Sequence, residues 1–323
     1  MGIETKTPMW LLKSMALGVR ALGPEAGSRA GSLLGDALRF IMKSKGKLAR
    51  ENLRAAYPEA SEEWILEVEK KMFRHLGRMG VEFLQFPDED EAWLRQHVQV
   101  SGIERAHAAL ALGKGALILS AHFGNWEYIF KRLSYDFPKD VYALTRRIKD
   151  PNVDLFVKEY REANTGATCI LQDNAGSQIV RILKKNGIVI TVLDQNAGVK
   201  EGAFVPFFGR LASTYTSTAR LSLRLGLPVI PVLGHRTTGL DHFVCVMDPI
   251  IPDPSLCGEN AVEVLTARFT SLLEKAIREY PEQWIWLHNR WKTRPPGEDG
   301  KNLNAGDLPE GSPAQSEKPG ESV

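Results

Sequence analysis

The sequence of 323 residues has few cysteines and none of the spacings that build a disulfide framework or a zinc site. Its three cysteines are Cys169, Cys245 and Cys257, an odd number at wide intervals, and no C-x-x-C pair occurs. Such spacing indicates neither a set of metal ligands nor stapled loops. It is typical of a protein from a reducing compartment, and we expect no metal and no cofactor.

Three common signatures of ligand-binding loops are also missing. The chain contains no G-x-S-x-G, no G-x-x-x-x-G-K-[ST] and no G-x-G-x-x-G, and no internal repeat is visible. Their absence removes the usual serine hydrolase, phosphate-loop and dinucleotide-binding classes.

Neither sign of charge dominates, because 41 lysines and arginines face 39 acidic residues and the net charge is +2. This balance argues against a nucleic-acid partner. The charge is nevertheless unevenly placed, and residues 37–54 hold one acid, Glu51, against Arg39, Lys43, Lys45, Lys47, Arg50 and Arg54. Such a cluster suits an anionic membrane surface or an acidic partner. A solvated helix face would carry the same residues.

No long apolar run is present near the start of the chain. Residues 9–22 are mostly apolar but are interrupted by Lys13 and Arg20, whereas a spanning helix needs about 20 mostly apolar residues. These charges, and the lack of a clear cleavage site, also disfavour a signal peptide. We expect residues 1–27 to form a membrane-associated helix with Trp10 at the headgroups. An amphipathic helix packed on the protein body explains the pattern equally well.

The rest of the chain changes its pattern near residue 100. Residues 28–57 and 61–84 predict helices, which gives a helical part over 28–100. From 101 to 295 short apolar runs alternate with helical patterns, which indicates an α/β fold with a mostly parallel central sheet wrapped by helices. Strands are expected at 115–120, 141–144, 169–171, 187–193, 228–233 and 242–247, and helices at 103–112, 125–133, 152–164, 176–185, 212–225 and 260–280. Residues 296–323 are rich in Pro, Gly, Ser, Glu and Lys and should be disordered.

One apolar run ends in a histidine, and this stretch is the main candidate for chemistry. Residues 116–119 predict a buried strand, His122 follows it, and Glu127 comes five positions later after a Gly-Asn turn. Open α/β sheets bind ligands at the carboxyl ends of their strands. A histidine held by a carboxylate can act as a general base towards a hydroxyl. A structural histidine near a strand end is the alternative.

Further candidate positions follow other predicted strands. Asp194 and Gln195 come after the strand at 187–193 and could face the same crevice as His122, although a loop aspartate often caps backbone N–H groups. The aromatic loop at 204–210, which includes Phe207 and Gly209, could wall an apolar channel for an acyl chain or could pack on the core. In the same region, Ser213 or Thr214 could cap the next helix at an anion site, and Arg146, Arg147 and Arg161 could bind phosphate.

Taken together, the motifs resemble a known family. The stretch H-F-G-N-W-E from His122 to Glu127 is similar to the H-x4-D/E block of lysophospholipid-type acyltransferases, and Glu in place of Asp resembles the bacterial lipid A biosynthesis acyltransferases, the late lauroyl and myristoyl transferases. The other blocks resemble that family in order over residues 30–295, namely N-L-R-A-A-Y-P at 52–58, D-Q at 194–195, F-V-P-F-F-G at 204–209, L-P-V-I-P at 227–231, P-E-Q-W-I-W-L-H at 281–288 and W-K-T-R-P at 291–295.

The resemblance implies an acyltransferase that moves a fatty acyl chain from acyl carrier protein to a hydroxyl of a lipid A precursor. His122 would be the general base, Glu127 would orient it, and the implied substrate contacts are Arg161, Asp194, Gln195, Phe207 and Gly209. The implied location is the cytoplasmic face of the inner membrane. The family often has a clearer N-terminal membrane helix, so Lys13 and Arg20 favour peripheral attachment here.

Three other functions remain open at this point. One is acyl transfer to a different lipid acceptor, such as a lysophospholipid, a glycolipid or an ornithine lipid. The second is a non-catalytic peripheral membrane protein on the same fold. The third is a thioesterase, which would release free fatty acid without an acceptor.

Overall fold

A computed structural model describes residues 6–137, 140–172, 175–252, 258 and 260–295. The tail at 296–323, expected to be disordered, lies outside these residues, as does Cys257. The described helices are α1 Met9–Arg20, α2 Gly23–Ile41, α3 Lys43–Ala56, α4 Glu62–Gln85, α5 Glu91–His97, α6 Ile103–Leu110, α7 Trp126–Asp136, α8 Pro151–Thr165, α9 Gly176–Lys184, α10 Ser217–Leu225 and α11 Ala261–Glu279. The strands are β1 Val98–Ser101, β2 Ala116–Ser120, β3 Val141–Thr145, β4 Thr168–Leu171, β5 Ile188–Val192, β6 Gly202–Phe207, β7 Arg210–Tyr215, β8 Val229–Arg236 and β9 His242–Val246.

The central sheet has seven strands in the order β1-β9-β8-β2-β5-β3-β4. Every neighbouring pair is parallel except β8 with β9. Strand β2 is buried along its whole length because helices cover both faces of the sheet. The predicted α/β fold, with a mostly parallel sheet and an N-terminal helical section, is confirmed.

The helical section packs through close contact between α2 and α4. Gly31 and Gly35 of α2 lie against the backbone of α4, and Gly77 of α4 lies against α2, so a Cβ at any of these positions would collide with backbone atoms. The single helix expected over 28–57 is two helices, because the chain leaves the helical conformation at Met42. The glycines are thus the residues that allow this helix pair to approach closely.

The prediction of a helix over 212–225 is wrong in its first third. Residues 210–215 form β7, which pairs with β6 as an antiparallel hairpin. Its two-residue turn is Phe208-Gly209, and both residues have positive φ, 53° and 68°, as in the turns that suit a twisted hairpin. The aromatic stretch expected as a loop is therefore mostly strand. Strand β1, at the edge of the sheet, was not predicted either.

Within the part of the chain that the structure describes, none of the helices combines the length and hydropathy that crossing a bilayer requires.

Candidate active site

The site begins where two adjacent parallel strands end. Strands β2 and β5 are paired so that Ser120 lies opposite Val192. His122 lies two residues after Ser120, and Asp194 lies two residues after Val192. The register of the two strands therefore brings these side chains to the same edge of the sheet, where an open α/β fold binds its ligands.

His122 and Asp194 form the central contact of the site. The Asp194 Oδ1 atom lies 3.0 Å from His122 Nδ1, and Asp194 Oδ2 accepts a hydrogen bond of 3.2 Å from the backbone N–H of His122. The indole N–H of Trp284 donates to the same Oδ2 at 3.0 Å. Asp194 is only 3% exposed. One buried carboxylate thus fixes both the backbone and the ring of His122.

Burial and ion pairing oppose each other in this pair. Burial alone would raise the pKa of Asp194, but the neighbouring His122 charge and the hydrogen bonds lower it. Burial would likewise lower the pKa of His122, yet the negative charge of Asp194 and its hydrogen bond raise it overall. Because Asp194 stays ionised, the Nδ1 of a neutral His122 carries the proton and donates it to the carboxylate. The other ring nitrogen, Nε2, is then the proton acceptor.

Glu127 makes its close contacts with Arg161 rather than with His122. The Arg161 Nε atom donates to Glu127 Oε2 at 2.9 Å, Arg161 Nη2 donates to Oε1, and the Trp126 indole N–H donates to Oε1 at 3.2 Å. The expectation that Glu127 orients the imidazole is corrected, because the described hydrogen bond of the ring goes to Asp194. Glu127 acts on His122 through its charge, which helps to raise the pKa of the histidine.

A cavity of about 330 Å³ reaches His122. Its polar lining includes His122, Glu127, Arg146, Arg161, Gln172, Gln195 and Tyr215. Its apolar lining includes Phe130, Ala143, Leu144, Val157, Leu171 and Val192. The cavity therefore brings His122 together with a set of apolar side chains.

Arg146 is hydrogen-bonded to three other polar side chains that line the cavity. It follows β3 directly and donates to Gln172 Oε1 at 2.9 Å and to Gln195 Oε1 at 3.3 Å. A further hydrogen bond joins it to the Tyr215 hydroxyl. The residues that follow β3, β4 and β5 thus meet at one edge of the sheet, and Gln195 lines the cavity.

Phe207 and Gly209 lie away from this cavity. Phe207 is fully buried in a core cluster and packs edge-on against Trp284 at 5.5 Å between ring centroids. Gly209 occupies the hairpin turn after β6, where it is exposed. The structure therefore does not bring either residue to His122, and the apolar wall is formed by β3, β4, β5, α7 and α8 instead. Hairpin pairing explains the difference, because it turns Phe207 towards the core.

Ser213 and Thr214 do not cap a helix, contrary to the expectation. Both lie in β7, and the buried Arg290 donates to the Ser213 carbonyl at 2.7 Å and to the Thr214 hydroxyl. Burial lowers the pKa of Arg290 to about 10, against the pull of the Asp194 charge. This arginine remains a cation at neutral pH, behind the carboxylate that holds His122.

A buried polar cluster supports the turn that carries His122. Asn125 caps α7 by accepting from the Tyr128 N–H, and its amide donates to Glu82 Oε2 at 2.7 Å. Glu82 is also paired with Arg236, at 2.6 Å. Gly124 completes the turn with φ of 58° at a point where a Cβ would collide with the Gly234 carbonyl. Glu82 and Arg236 could not be identified from the sequence, because neither lies near a motif.

The described residues hold no group of three or more histidine, cysteine or acidic side chains suited to a metal ion. Of the described cysteines, Cys169 and Cys245 are free thiols.

Comparison with known proteins identifies the family. The family described as "Bacterial lipid A biosynthesis acyltransferase" matches residues 4–293. A lipid A biosynthesis lauroyltransferase from Escherichia coli is 28% identical over 81% of this chain and 83% of its own, and a palmitoleoyltransferase from the same organism is 26% identical over 83% and 85%. A phosphatidylinositol mannoside acyltransferase from Mycolicibacterium smegmatis is 22% identical over 84% and 88%. Since the family match spans almost all of the described residues, the chain is an acyltransferase that belongs to the bacterial lipid A biosynthesis acyltransferase family.

Proposed function

We propose that this enzyme transfers a fatty acyl chain from acyl carrier protein to a hydroxyl of a lipid A precursor, with His122 as the general base. The observation that carries the proposal is the 3.0 Å contact between His122 Nδ1 and Asp194 Oδ1 at the edge of a cavity with an apolar wall. The names of the relatives support lipid A as the acceptor.

The proposed step needs one base and no covalent enzyme intermediate. His122 Nε2 takes the proton of the acceptor hydroxyl, and the alkoxide oxygen attacks the thioester carbonyl. The carbon–sulfur bond breaks when the tetrahedral intermediate collapses, and the imidazolium returns its proton to the thiolate of the carrier. Asp194 stabilises the imidazolium between these two proton transfers, because its buried negative charge lies against Nδ1.

Arg161 is the proposed contact for negative charge in the cavity. Its guanidinium is tied to Glu127 through two nitrogens, which leaves other N–H donors for a phosphate or for the developing oxyanion. Burial would lower the pKa of Arg161, but the Glu127 charge raises it overall, so the cation persists at all pH values of interest. Glu127 thus acts by positioning Arg161 and by adding negative charge near His122.

The acyl chain is proposed to lie along the apolar wall formed by Phe130, Ala143, Val157 and Leu171. The aromatic stretch 204–208 does not contribute to this wall, because Phe207 and Phe208 pack in the core. Apolar pockets of a few hundred Å³ are typical of sites that bind a small apolar ligand or chain.

A different lipid acceptor is the second candidate. The specific observation in its favour is the similarity to a phosphatidylinositol mannoside acyltransferase over 84% of this chain. The same base and cavity would serve such an acceptor, since only the hydroxyl has to reach His122.

The proposed location is the cytoplasmic face of the inner membrane, with peripheral attachment through residues 1–27. Helix α1 exposes Trp10 and Leu17 to solvent, at 68% and 63%. Its start is tied to α8, because Asp150 Oδ2 accepts from the Thr7 N–H at 2.7 Å. Exposed apolar side chains on a surface helix fit an interfacial contact.

The test compares lipid A from cells with and without this protein by mass spectrometry. Loss of one secondary acyl chain in the cells that lack the protein is the expected result, and unchanged lipid A with an altered glycolipid would favour the second candidate. Purified protein with acyl carrier protein thioester, assayed with and without acceptor lipid, separates transfer from simple hydrolysis. A coenzyme A thioester in place of the carrier identifies the donor.

A further inference from the structure

Helix α2 exposes an apolar face that none of the other described residues covers. Leu33, Leu34, Phe40 and Ile41 form this exposed apolar face of α2, with Leu33, Phe40 and Ile41 at 70%, 77% and 75% exposure. Their spacing places them along one side of the helix. The glycines that pack on α4 lie on another side, so the packing of the helix does not use these four residues. A contiguous apolar surface of this kind marks a contact with a membrane or another molecule.

A basic cavity adjoins this face. It has a volume of about 450 Å³ between α2, α3 and α4, and Phe40 is part of its lining. Five cations, Arg39, Lys43, Arg50, Lys70 and Arg74, line it with two carboxylates, Asp36 and Glu69. The cavity thus carries an excess of positive charge directly beside an exposed aromatic ring.

The carboxylates orient the arginines. Glu69 is 1% exposed, and it accepts hydrogen bonds from Arg39 Nη2 at 2.9 Å and from Arg50 Nη1 at 2.7 Å. Asp36 Oδ1 accepts from Arg74 Nε at 2.8 Å. A guanidinium has five N–H donors, so these bonds fix each arginine and leave donors for an anion. Oriented guanidinium groups are the usual partners of phosphate oxygens.

We propose that the basic cavity binds the phosphate headgroup of an anionic membrane lipid while the exposed apolar face of α2 lies in the acyl layer. The two surfaces share Phe40, and Lys43 Nζ lies 5.2 Å from the centroid of that ring. An anionic lipid has its phosphate next to its acyl chains, just as the basic cavity lies next to the exposed apolar face of α2. An acidic soluble protein would bind the cations of the cavity but would leave the apolar face uncovered. The inference rests on the proposed membrane attachment and extends it from α1 to a headgroup site.

The experiment measures sedimentation of the full-length protein with vesicles of phosphatidylcholine alone or mixed with phosphatidylglycerol. Replacing Lys43 and Lys70 by alanine leaves the pairs of buried Glu69 intact. This variant should lose binding to the phosphatidylglycerol vesicles by on the order of tenfold or more. Its control replaces Lys200 and Lys275, two exposed lysines elsewhere on the chain, and should bind as the parent protein does.

The apolar face is tested with a second pair of variants. Leu33→Ser with Phe40→Ser should weaken binding to both kinds of vesicle by on the order of tenfold or more. The control is Val199→Ser with Ile251→Ser, which changes side chains that are 70% and 59% exposed elsewhere. Equal binding to both vesicle types, or equal losses in test and control variants, overturns the proposal.

Two further measurements keep the outcomes separate. The His122→Ala protein should bind vesicles normally, because vesicle binding does not depend on the proposed role of His122 in catalysis. If the Lys43 and Lys70 variant binds vesicles normally but has a raised KM for the carrier-protein thioester, the basic cavity binds the acidic carrier instead, and the lipid assignment is wrong.

Discussion

The Nδ1 atom of His122 lies 3.0 Å from Oδ1 of Asp194, a carboxylate 72 positions further along the chain. The contact exists because β2 and β5 are neighbours in the sheet and end at the same level. It gives the imidazole one tautomer and leaves Nε2 to accept a proton, which is the arrangement required of a general base.

Asp194→Asn should lower kcat and shift its pH dependence. The proposed base, His122, must be neutral to accept a proton, so kcat should rise as the pH rises through the pKa of His122. Burial lowers that pKa and Asp194 more than offsets the effect. The asparagine variant should therefore show the rise at lower pH, with kcat reduced by roughly 10²- to 10⁴-fold because the imidazolium is no longer stabilised. A pH profile of kcat measures both effects, and an unmoved profile would contradict the pairing.

Glu127→Gln should reduce activity with a smaller shift of the pH profile than Asp194→Asn. The reason is that Glu127 acts on the pKa of His122 through charge alone, while its hydrogen bonds go to Arg161. Arg161→Lys should also reduce activity, since lysine keeps the charge but lacks the two-nitrogen contact. The pH profiles of kcat for Asp194→Asn, Glu127→Gln and Arg161→Lys, measured side by side, check these expectations. Equal shifts in the Glu127 and Asp194 variants would mean that both carboxylates hold the ring.

Glu82→Gln should destabilise the fold and disturb the turn that carries His122. Glu82 is 1% exposed and is paired with Arg236, so the variant leaves a buried guanidinium without its counter-charge. The expected loss in the free energy of unfolding is about 3–5 kcal/mol. Denaturant unfolding of purified protein gives this value. Adding Arg236→Gln should recover part of it, and no recovery would show that the pair is not the source.

Val157→Trp should shift the products towards shorter acyl chains. Val157 lines the cavity from α8, and a larger side chain there would fill part of the proposed acyl slot. Leu155→Trp is the matched control, because Leu155 is 46% exposed and not part of the lining. Mass spectrometry of products from a mixture of donors measures the chain lengths. The same chain lengths in both variants would place the acyl chain elsewhere.

Much of the architecture could be predicted from local patterns. The apolar run before His122, the helix start at Asn125 and the alternation after residue 100 each depend on neighbouring residues only, and the structure places the corresponding elements within a few positions. The order of the strands was not predictable in this way. Strands β3 and β4 lie between β2 and β5 in the sequence but not in the sheet, so the contact of His122 with Asp194 depends on long-range pairing.

The roles of the residues in the site were harder to predict than the positions of those residues in the fold. Asp194 was visible as a polar residue after a strand, and Glu127 as an acid near a histidine, but spacing alone could not decide which carboxylate meets the ring. Phe207 shows the same difficulty, because an aromatic residue next to a turn suits a channel wall and a core equally well. Side chains alternate between the two faces of β6, and Phe207 lies on the face that packs in the core cluster with Trp284 and Trp291.

Acyl transfer by the His122→Ala protein tests the central claim most directly. We expect transfer from carrier-protein thioester to lipid A precursor to fall to background, because His122 is the one histidine that lines the described cavity, while the unfolding curve stays close to that of the parent protein. His107→Ala, at an exposed histidine of α6, should keep normal activity. Normal turnover in a folded His122→Ala protein would contradict the account.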